Sequence, residues 1–321
     1  MASGSKLVLY AALAGNLAIA ATKFAAAAIA GSSAMLTEGI HSLVDTCNQG
    51  LLLYGRHRAD LPPDERHPLG HGRELYFWAF VVALLIFTTG AGASVYEGIV
   101  HIRHPETIER PWINFLVLGL AFVFEGASLF VAIREFRQTK DPAAGWWRAL
   151  RDSKDPAVFV VLMEDSAALA GLVIAAIFIG LAVATGNPLW DGLGSIVIGV
   201  LLIGVAILLA SESKKLLIGE RARPQLQAFL TEVAKGTPGV CLVNEVITVH
   251  MAPEDVIATL SLDFEDDLPL SEVEKAADAI EAQVKARYPE VRRLFIRPQS
   301  RVAAKAERTA LQVQHEATAD F

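Results

Sequence analysis

Six stretches of this chain, residues 7–30, 33–55, 75–100, 112–136, 156–184 and 190–211, are almost unbroken apolar runs. About 20 such residues in a helix cross about 30 Å of hydrocarbon, and a backbone in lipid must satisfy its hydrogen bonds internally. Helices lying across a bilayer are therefore the expected state of the first two thirds. Composition agrees: the 321 residues are 53% hydrophobic and 20% charged, where a soluble domain carries about a quarter charged residues. The first run contains Asn16 and Lys23 and is too long for a cleaved signal, so it reads as a span.

Basic residues orient the spans. Arg56, Arg58, Arg66, Arg73, Arg137, Lys140, Arg148, Arg151 and Lys154 fall between spans two and three or four and five, whereas the opposite loops offer Arg103 and Arg110. Both termini are expected on the cytoplasmic side of a multi-pass protein of the bacterial inner membrane. The net charge of −7 comes mainly from the last third and gives no footprint for nucleic acid. Cys47 and Cys241 form neither a disulfide framework nor a CxxC pair. No HExxH, GxSxG or phosphate-binding loop is present, so an enzyme is not expected.

After residue 215 the pattern changes. "PQLQAFLTEVAKG" begins with Pro and ends with Gly, as helices do. "VNEVITVHM" and "VIATLSLDFE" alternate at period two, as half-buried strands do. "SEVEKAADAIEAQVKARY" opens on a Ser271-x-x-Glu274 capping box and keeps helical spacing, and "VRRLFIRP" reads as a last strand. The expected architecture is an all-α six-helix transmembrane domain over 1–215, then an α+β ferredoxin-like cytoplasmic domain over 216–299. Residues 300–321 are expected as a frayed or disordered tail.

Span two contains "EGIHSLVD", which places charge where lipid should be. Glu38, His41, Asp45 and Asn48 follow at steps of three, four and three, so they share one helical stripe, widened by Ser42 and Gln49. A charge at the bilayer centre costs from about 2.5 to over 10 kcal/mol, and such residues persist facing a bundle interior with a partner or an ion. A polar clasp between helices is the plainer reading; a stripe of several such groups favours an ion site. Span five adds Glu164, Asp165 and Ser166, and span one adds Asn16 and Lys23, seven residues apart on one face. His41 and Asp45, one turn apart, suit one side of a tetrahedral zinc site. The loop after span two carries Asp64, His67 and His71. Two histidines four apart in a Pro/Gly loop read more readily as ordinary surface residues than as ligands on one turn.

"GNLAIAATKFAAAAIAGSSAMLTEGIHSLVDTCNQG", with "HPLGHG" and "NPLWDGLGS" further on, resembles the cation diffusion facilitator family over residues 5–299. The wording "EGIHSLVDTCNQG" and "LMEDSAALAG" is most similar to the branch containing the animal mitochondrial zinc transporter. The resemblance implies a homodimer in a lipid bilayer that exports a divalent metal, zinc being expected, in exchange for protons and with no cofactor. A membrane-bound metal sensor or docking protein is the alternative from another class. The resemblance also implies a transport site of His41, Asp45 and Asp165, a second metal at Asp64, His67 and His71, and an Arg73–Glu220 charged pair near the domain junction. Two departures stand out. Val161 occupies the position of a histidine in related zinc exporters, which leaves the fourth ligand open among Glu164, Glu38, Asn16 and water. Glu164 ranks first, since two adjacent acids in mid-membrane are otherwise hard to account for. In the soluble domain, Asn244, Ser261 and Arg297 stand where relatives place zinc-binding histidines, so no zinc pair is expected there.

Overall fold

The computed structural model describes residues 2–30, 33–105, 111–139, 145–146, 149–150 and 154–319; within these, the side chains of 2–7, 26–27, 29–30, 33–41, 139, 311 and 313–319 fall outside the description. The chain divides into two compact units, Met1–Leu217 and Ile218–Phe321.

Among the described residues, every regular element of the first unit is a helix. Its elements are α1 (Ala2–Ala30), α2 (Ser33–Ala59), α3 (Glu74–Leu85) continued through a π-helical turn (Ile86–Ala91) into α4 (Gly92–Arg103), α5 (Pro111–Thr139), α6 (Pro156–Thr185) and α7 (Leu189–Ile218). Among the described residues, five stretches are long and apolar enough to cross a membrane: Val8–Ala25, Glu74–Arg103, Pro111–Gln138, Pro156–Thr185 and Leu189–Ile218. The remaining helix, α2, carries the acidic stripe. Each apolar run of the sequence thus corresponds to a helix, α3 and α4 together forming the third span.

Helix ends follow local chemistry. Asp155 caps α6 by accepting from Ala157 N at 3.1 Å, Pro156 opens the first turn, and Gly186 at φ 65° closes the helix in the left-handed region. The π-helical turn carries two threonines whose hydroxyls bond backward, Thr88 to Leu84 O at 3.0 Å and Thr89 to Leu85 O at 2.6 Å. Such back-bonding competes with the regular ladder, and a glycine follows at position 90, so the widened turn settles there.

α1 packs along α2 and α5, α2 along α3, and α5 along α6. Leu9, Leu52, Ala79, Val82, Ala132, Val160 and Leu209 fill the shared core. Spans three and six meet through glycine: a Cβ on Gly98 would stand 2.7 Å from Gly192 O, and one on Gly192 would stand 2.9 Å from Gly98 O. Small residues let helix backbones approach this closely in a membrane.

The second unit contains α8 (Pro224–Gly236), β1 (Val240–Ala252), β2 (Asp255–Phe264), α9 (Leu270–Arg287), β3 (Val291–Pro298) and α10 (Arg301–Ala319). The sheet order is β1-β2-β3, with β1 and β2 antiparallel and β2 and β3 parallel. A parallel pair needs a crossover, and α9 supplies it. Val256, Ala258, Leu260 and Leu262 of β2 are fully buried, facing Leu230 of α8 and Ile280 and Val284 of α9. The expected α-β-β-α-β order is present.

One expectation changes. The capping box does not form: α9 starts at Leu270 with Pro269 at its N-cap and no side-chain cap, Glu272 N bonding Pro269 O at 2.9 Å. Proline's fixed φ starts the helix before Ser271, so Ser271 lies inside the first turn. Over the described part of 300–321, expected as frayed helix or disorder, the chain forms helix α10. Arg301 N bonds Asp263, Arg308 bonds Asn244 O at 2.7 Å, and Ala304 is buried. These contacts anchor the start of a helix whose composition alone reads as a solvated tail.

Candidate metal transport site

Residues one turn apart on α2 point together into the bundle. Ser42, Asn48 and Gln49 are buried, and Asp45 between them is half-buried. Glu38 and His41 belong to α2 by their backbone; their side chains lie outside the described residues. From α6, Asp165 is 1% exposed and accepts a hydrogen bond from Ser128 Oγ of α5 at 2.7 Å. Its neighbour Glu164 takes a different partner, Gln49 Nε2 of α2, at 2.8 Å. The second Glu164 oxygen is buried with no partner among the described residues. Asn48 lies against the Glu164 carboxyl, yet neither amide atom reaches hydrogen-bond geometry. The carboxyls of Asp45, Glu125, Glu164 and Asp165 stand within electrostatic reach of one another, and Lys23 of α1 within reach of Glu125. Asn16, also on α1, is buried. Val161, one turn before Asp165, is fully buried in the apolar core and offers no donor.

The structure thus places Asp45, Glu164 and Asp165 within electrostatic reach of one another and adds Glu125, which the spacing argument passed over. No three of these acids bring ligand atoms within 4.8 Å of one another. The signal was present: Glu125 is a lone charge in "VLGLAFVFEGASLF", and the cost that singled out span two applies equally there. Serine at 128, one turn on, belongs to the same face of α5.

Outside the spans, Asp64, His67 and His71 converge. One possible ligand atom from each lies within 4.8 Å of the others. His67 Nδ1 is 3.1 Å and His71 Nε2 3.2 Å from the Asp64 carboxylate, and the two rings are 4.3 Å apart at their centroids. The same carboxylate accepts from the backbone N–H of Arg66 at 2.9 Å and of His67 at 2.6 Å, an Asx turn that fixes the loop. The His67 N–H foremost holds the Asp64 carboxyl below the usual carboxylate range. Three donors of this kind suit a tetrahedral cation with one position left for water or another ligand.

A belt of ion pairs joins the helix ends near this loop. Arg56 of α2 meets Asp155 at the start of α6 at 3.5 Å. Arg58 meets Glu74 of α3 at 3.0 Å, and Trp78 Nε1 donates to the same Glu74 at 2.9 Å. Arg73 caps α3 within the first unit. Glu220 belongs to the second unit, its carbonyl accepting from His250 N at 3.0 Å.

Asn244, Ser261 and Arg297 are gathered by neighbours in the second unit. Asn244 Nδ2 donates to Gln299 O at 2.7 Å and Ser261 Oγ to Gln299 Oε1 at 2.6 Å. Arg297 pairs with Glu307 of α10 at 3.0 Å, and Gln299 Nε2 also donates to Glu307 at 2.7 Å. Amide, hydroxyl and guanidinium groups satisfied in this way are a poor donor set for zinc, which wants thiolate, imidazole or carboxylate.

The sequence also matches known proteins. The family model described as the cation efflux transmembrane domain matches residues 9–218. The proton-coupled zinc antiporter SLC30A9, mitochondrial, of Homo sapiens is 36% identical over 244 residues, 76% of this chain and 43% of that protein. The metal tolerance protein C4 of Arabidopsis thaliana is 36% identical over 208 residues, 64% of this chain and 45% of that protein. The magnetosome protein MamB of Paramagnetospirillum magneticum is 25% identical over 282 residues, 87% of this chain and 89% of that protein. The chain spans less than half the length of the first two.

Proposed function

The chain belongs to the cation efflux, or cation diffusion facilitator, family, and from that membership we propose that it exchanges a divalent metal, zinc foremost, for protons across a membrane. The observation that carries this reading is that Asp45, Glu164 and Asp165, from two helices of an apolar bundle, lie within electrostatic reach of one another, with Asp165 and Glu164 Oε1 buried. Carboxylates gathered out of water need a cation or protons, and the two can alternate. Ligands coordinate only when deprotonated, so metal entering the site displaces protons and protons entering it displace metal. His41, on the stripe one turn before Asp45, adds a group whose ordinary pKa lies near neutrality. The name of the human relative, a proton-coupled zinc antiporter, supports both the metal and the exchange. The working form is read as a homodimer in a bacterial inner membrane with cytoplasmic termini, an orientation favoured by the basic loops.

The test is flux in sealed vesicles containing the full chain, run with zinc, manganese, iron and cobalt under an imposed pH difference. Uptake that follows the gradient and collapses with a protonophore is the expected result. Binding without net flux would identify a sensor, and flux indifferent to the gradient would identify a channel.

The loop cluster is read as tuning transport rather than carrying it. Asp64 and His67 are exposed, so water can replace a lost ligand there. Changing His67→Ala and His71→Ala together is expected to reduce flux by only a few fold, below the roughly 10- to 100-fold typical when support for a metal site is lost. Complete loss in folded protein would invert the order of the two sites.

A further inference from the structure

We propose that Glu164 of α6, with Asn48 and Gln49 of α2, forms a second, oxygen-lined cation position beside Asp45 and Asp165, taking a partly hydrated divalent metal; this rests on the transport reading above. The geometry starts from one hydrogen bond between helices. Gln49 Nε2 donates to Glu164 Oε2 at 2.8 Å, which leaves Gln49 Oε1 and Glu164 Oε1 buried and without a partner among the described residues. Asn48, 1% exposed, lies against the same carboxyl, and neither its Oδ1 nor its Nδ2 completes a hydrogen bond among the described residues. Adjacent helical residues diverge by about 100°, so a carboxyl that meets both amides stands between them. Four buried polar atoms from three side chains thus end unpaired around one contact between α2 and α6, where such atoms are ordinarily bonded.

Three of the four atoms are oxygens and one is an amide nitrogen. A surplus of acceptors calls for a ligand that is positive or brings hydrogens of its own. Apolar side chains close one end of the group. Val160 and Val161, one turn before Glu164 on α6, and Leu52, one turn after Asn48 and Gln49 on α2, are 0% exposed and belong to the apolar core. A plain clasp between helices is the competing account. It explains the Gln49–Glu164 bond but strands Asn48 and both remaining oxygens. Nor does Glu164 close the Asp45–Asp165 pair directly, since these three acids do not bring ligand atoms within 4.8 Å of one another.

One carboxylate and two amide carbonyls make a hard, oxygen-only set with too little charge to strip a cation of all its water. Such a set suits manganese better than zinc, which leans toward imidazole and thiolate. Asp45 stands three residues before Asn48 and four before Gln49, so an ion here is one helical turn from the transport site. The position is a stop at which the metal keeps part of its hydration shell before exchanging that water for Asp45 and Asp165.

The experiment uses the full chain in detergent with manganese alone as the probe, free manganese being read by its electron paramagnetic resonance signal. Asp45→Asn, His67→Ala and His71→Ala together silence the transport site and the loop cluster, and this background is expected to keep one manganese ion per chain. Adding Glu164→Gln should abolish that binding. Adding Asn48→Leu or Gln49→Leu should weaken it by about 10-fold or more, as disturbing a metal site does. No manganese left in the background, or manganese indifferent to Glu164→Gln, overturns the proposal. Asn48→Leu that shifts the melting temperature but leaves manganese affinity unchanged identifies an ordered water only, and equally overturns it. Should the combined variants fail to fold, Asn48→Asp in the otherwise native chain serves. It adds a charged oxygen and should raise the manganese-to-zinc preference by about 10-fold; an unchanged ratio overturns the proposal. In each of these failures, zinc binding that depends on Asp45 leaves the transport reading standing. Equal zinc binding by the native chain and Asp45→Asn would bring down that reading itself.

Discussion

Asp45→Asn is expected to remove metal flux almost entirely, by more than about 100-fold, while the metal-free protein melts no lower than the parent. The two halves of that expectation come from the same geometry. Asp45 stands within reach of Glu125, Glu164 and Asp165. Taking away one ligand should cost more than the roughly 10- to 100-fold lost when groups behind a ligand are changed. Taking away one ionisable carboxyl from a crowd of acids lessens the need for protons or a cation there, so the metal-free fold is expected to keep its stability. A residue holding the bundle together would behave oppositely, losing stability and flux in step. Vesicle flux beside the metal-free melting temperature separates the cases, and near-normal flux from folded Asp45→Asn would sink the site.

The contrast between what the sequence disclosed and what it hid has physical causes. The long apolar spans were legible because a hydrocarbon slab tolerates only long apolar helices, so length and hydropathy mark them, the acid-bearing α2 excepted. The α-β-β-α-β order was legible because β2 alternates cleanly, Val256, Ala258, Leu260 and Leu262 all facing inward. The stripe of Asp45, Asn48 and Gln49 could be seen since it repeats along one helix. Partners on different helices could not: nothing in the spacing of span two says that Gln49 meets Glu164, 115 residues away. Glu125 escaped because a single charge has no periodicity, although its cost in lipid marked it. The π-helical turn at Ile86–Ala91 depends on two threonines choosing backbone partners, a competition that apolar pattern does not register. The anchoring of helix α10 was not legible because Asp263 and Asn244, which hold its start, lie on strands distant in sequence.

Breaking the ion pair between Arg56 and Asp155 is expected to destabilise the helical unit by about 3 kcal/mol, near the low end for a buried pair. Arg56 is 7% exposed and its Nε makes no hydrogen bond among the described residues, so its charge depends on few contacts. Asp155 supplies one at 3.5 Å; Asp60, at 3.9 Å and half in solvent, supplies a weaker one. That second partner is why the low end is expected. Asp155 has another duty, accepting from Ala157 N as the cap of α6 at 3.1 Å. Asp155→Ala would remove cap and charge together, confusing about 1 kcal/mol of capping with the pair. Asp155→Asn keeps the cap, since asparagine caps as well as aspartate, and isolates the charge. The pair also ties α2 to α6, the helices that bring Asp45 and Asp165 together, so loosening it should lower metal affinity as well as melting temperature. Combining Asp155→Asn with Arg56→Met removes the stranded charge and should recover most of the stability, because an apolar replacement for a buried pair is often neutral. The double-mutant cycle, read by melting temperature in detergent, checks this. Single changes that fail to lower it, or a double change no better than Asp155→Asn, would mean that water already screens Arg56 and that α2 and α6 are held by packing alone.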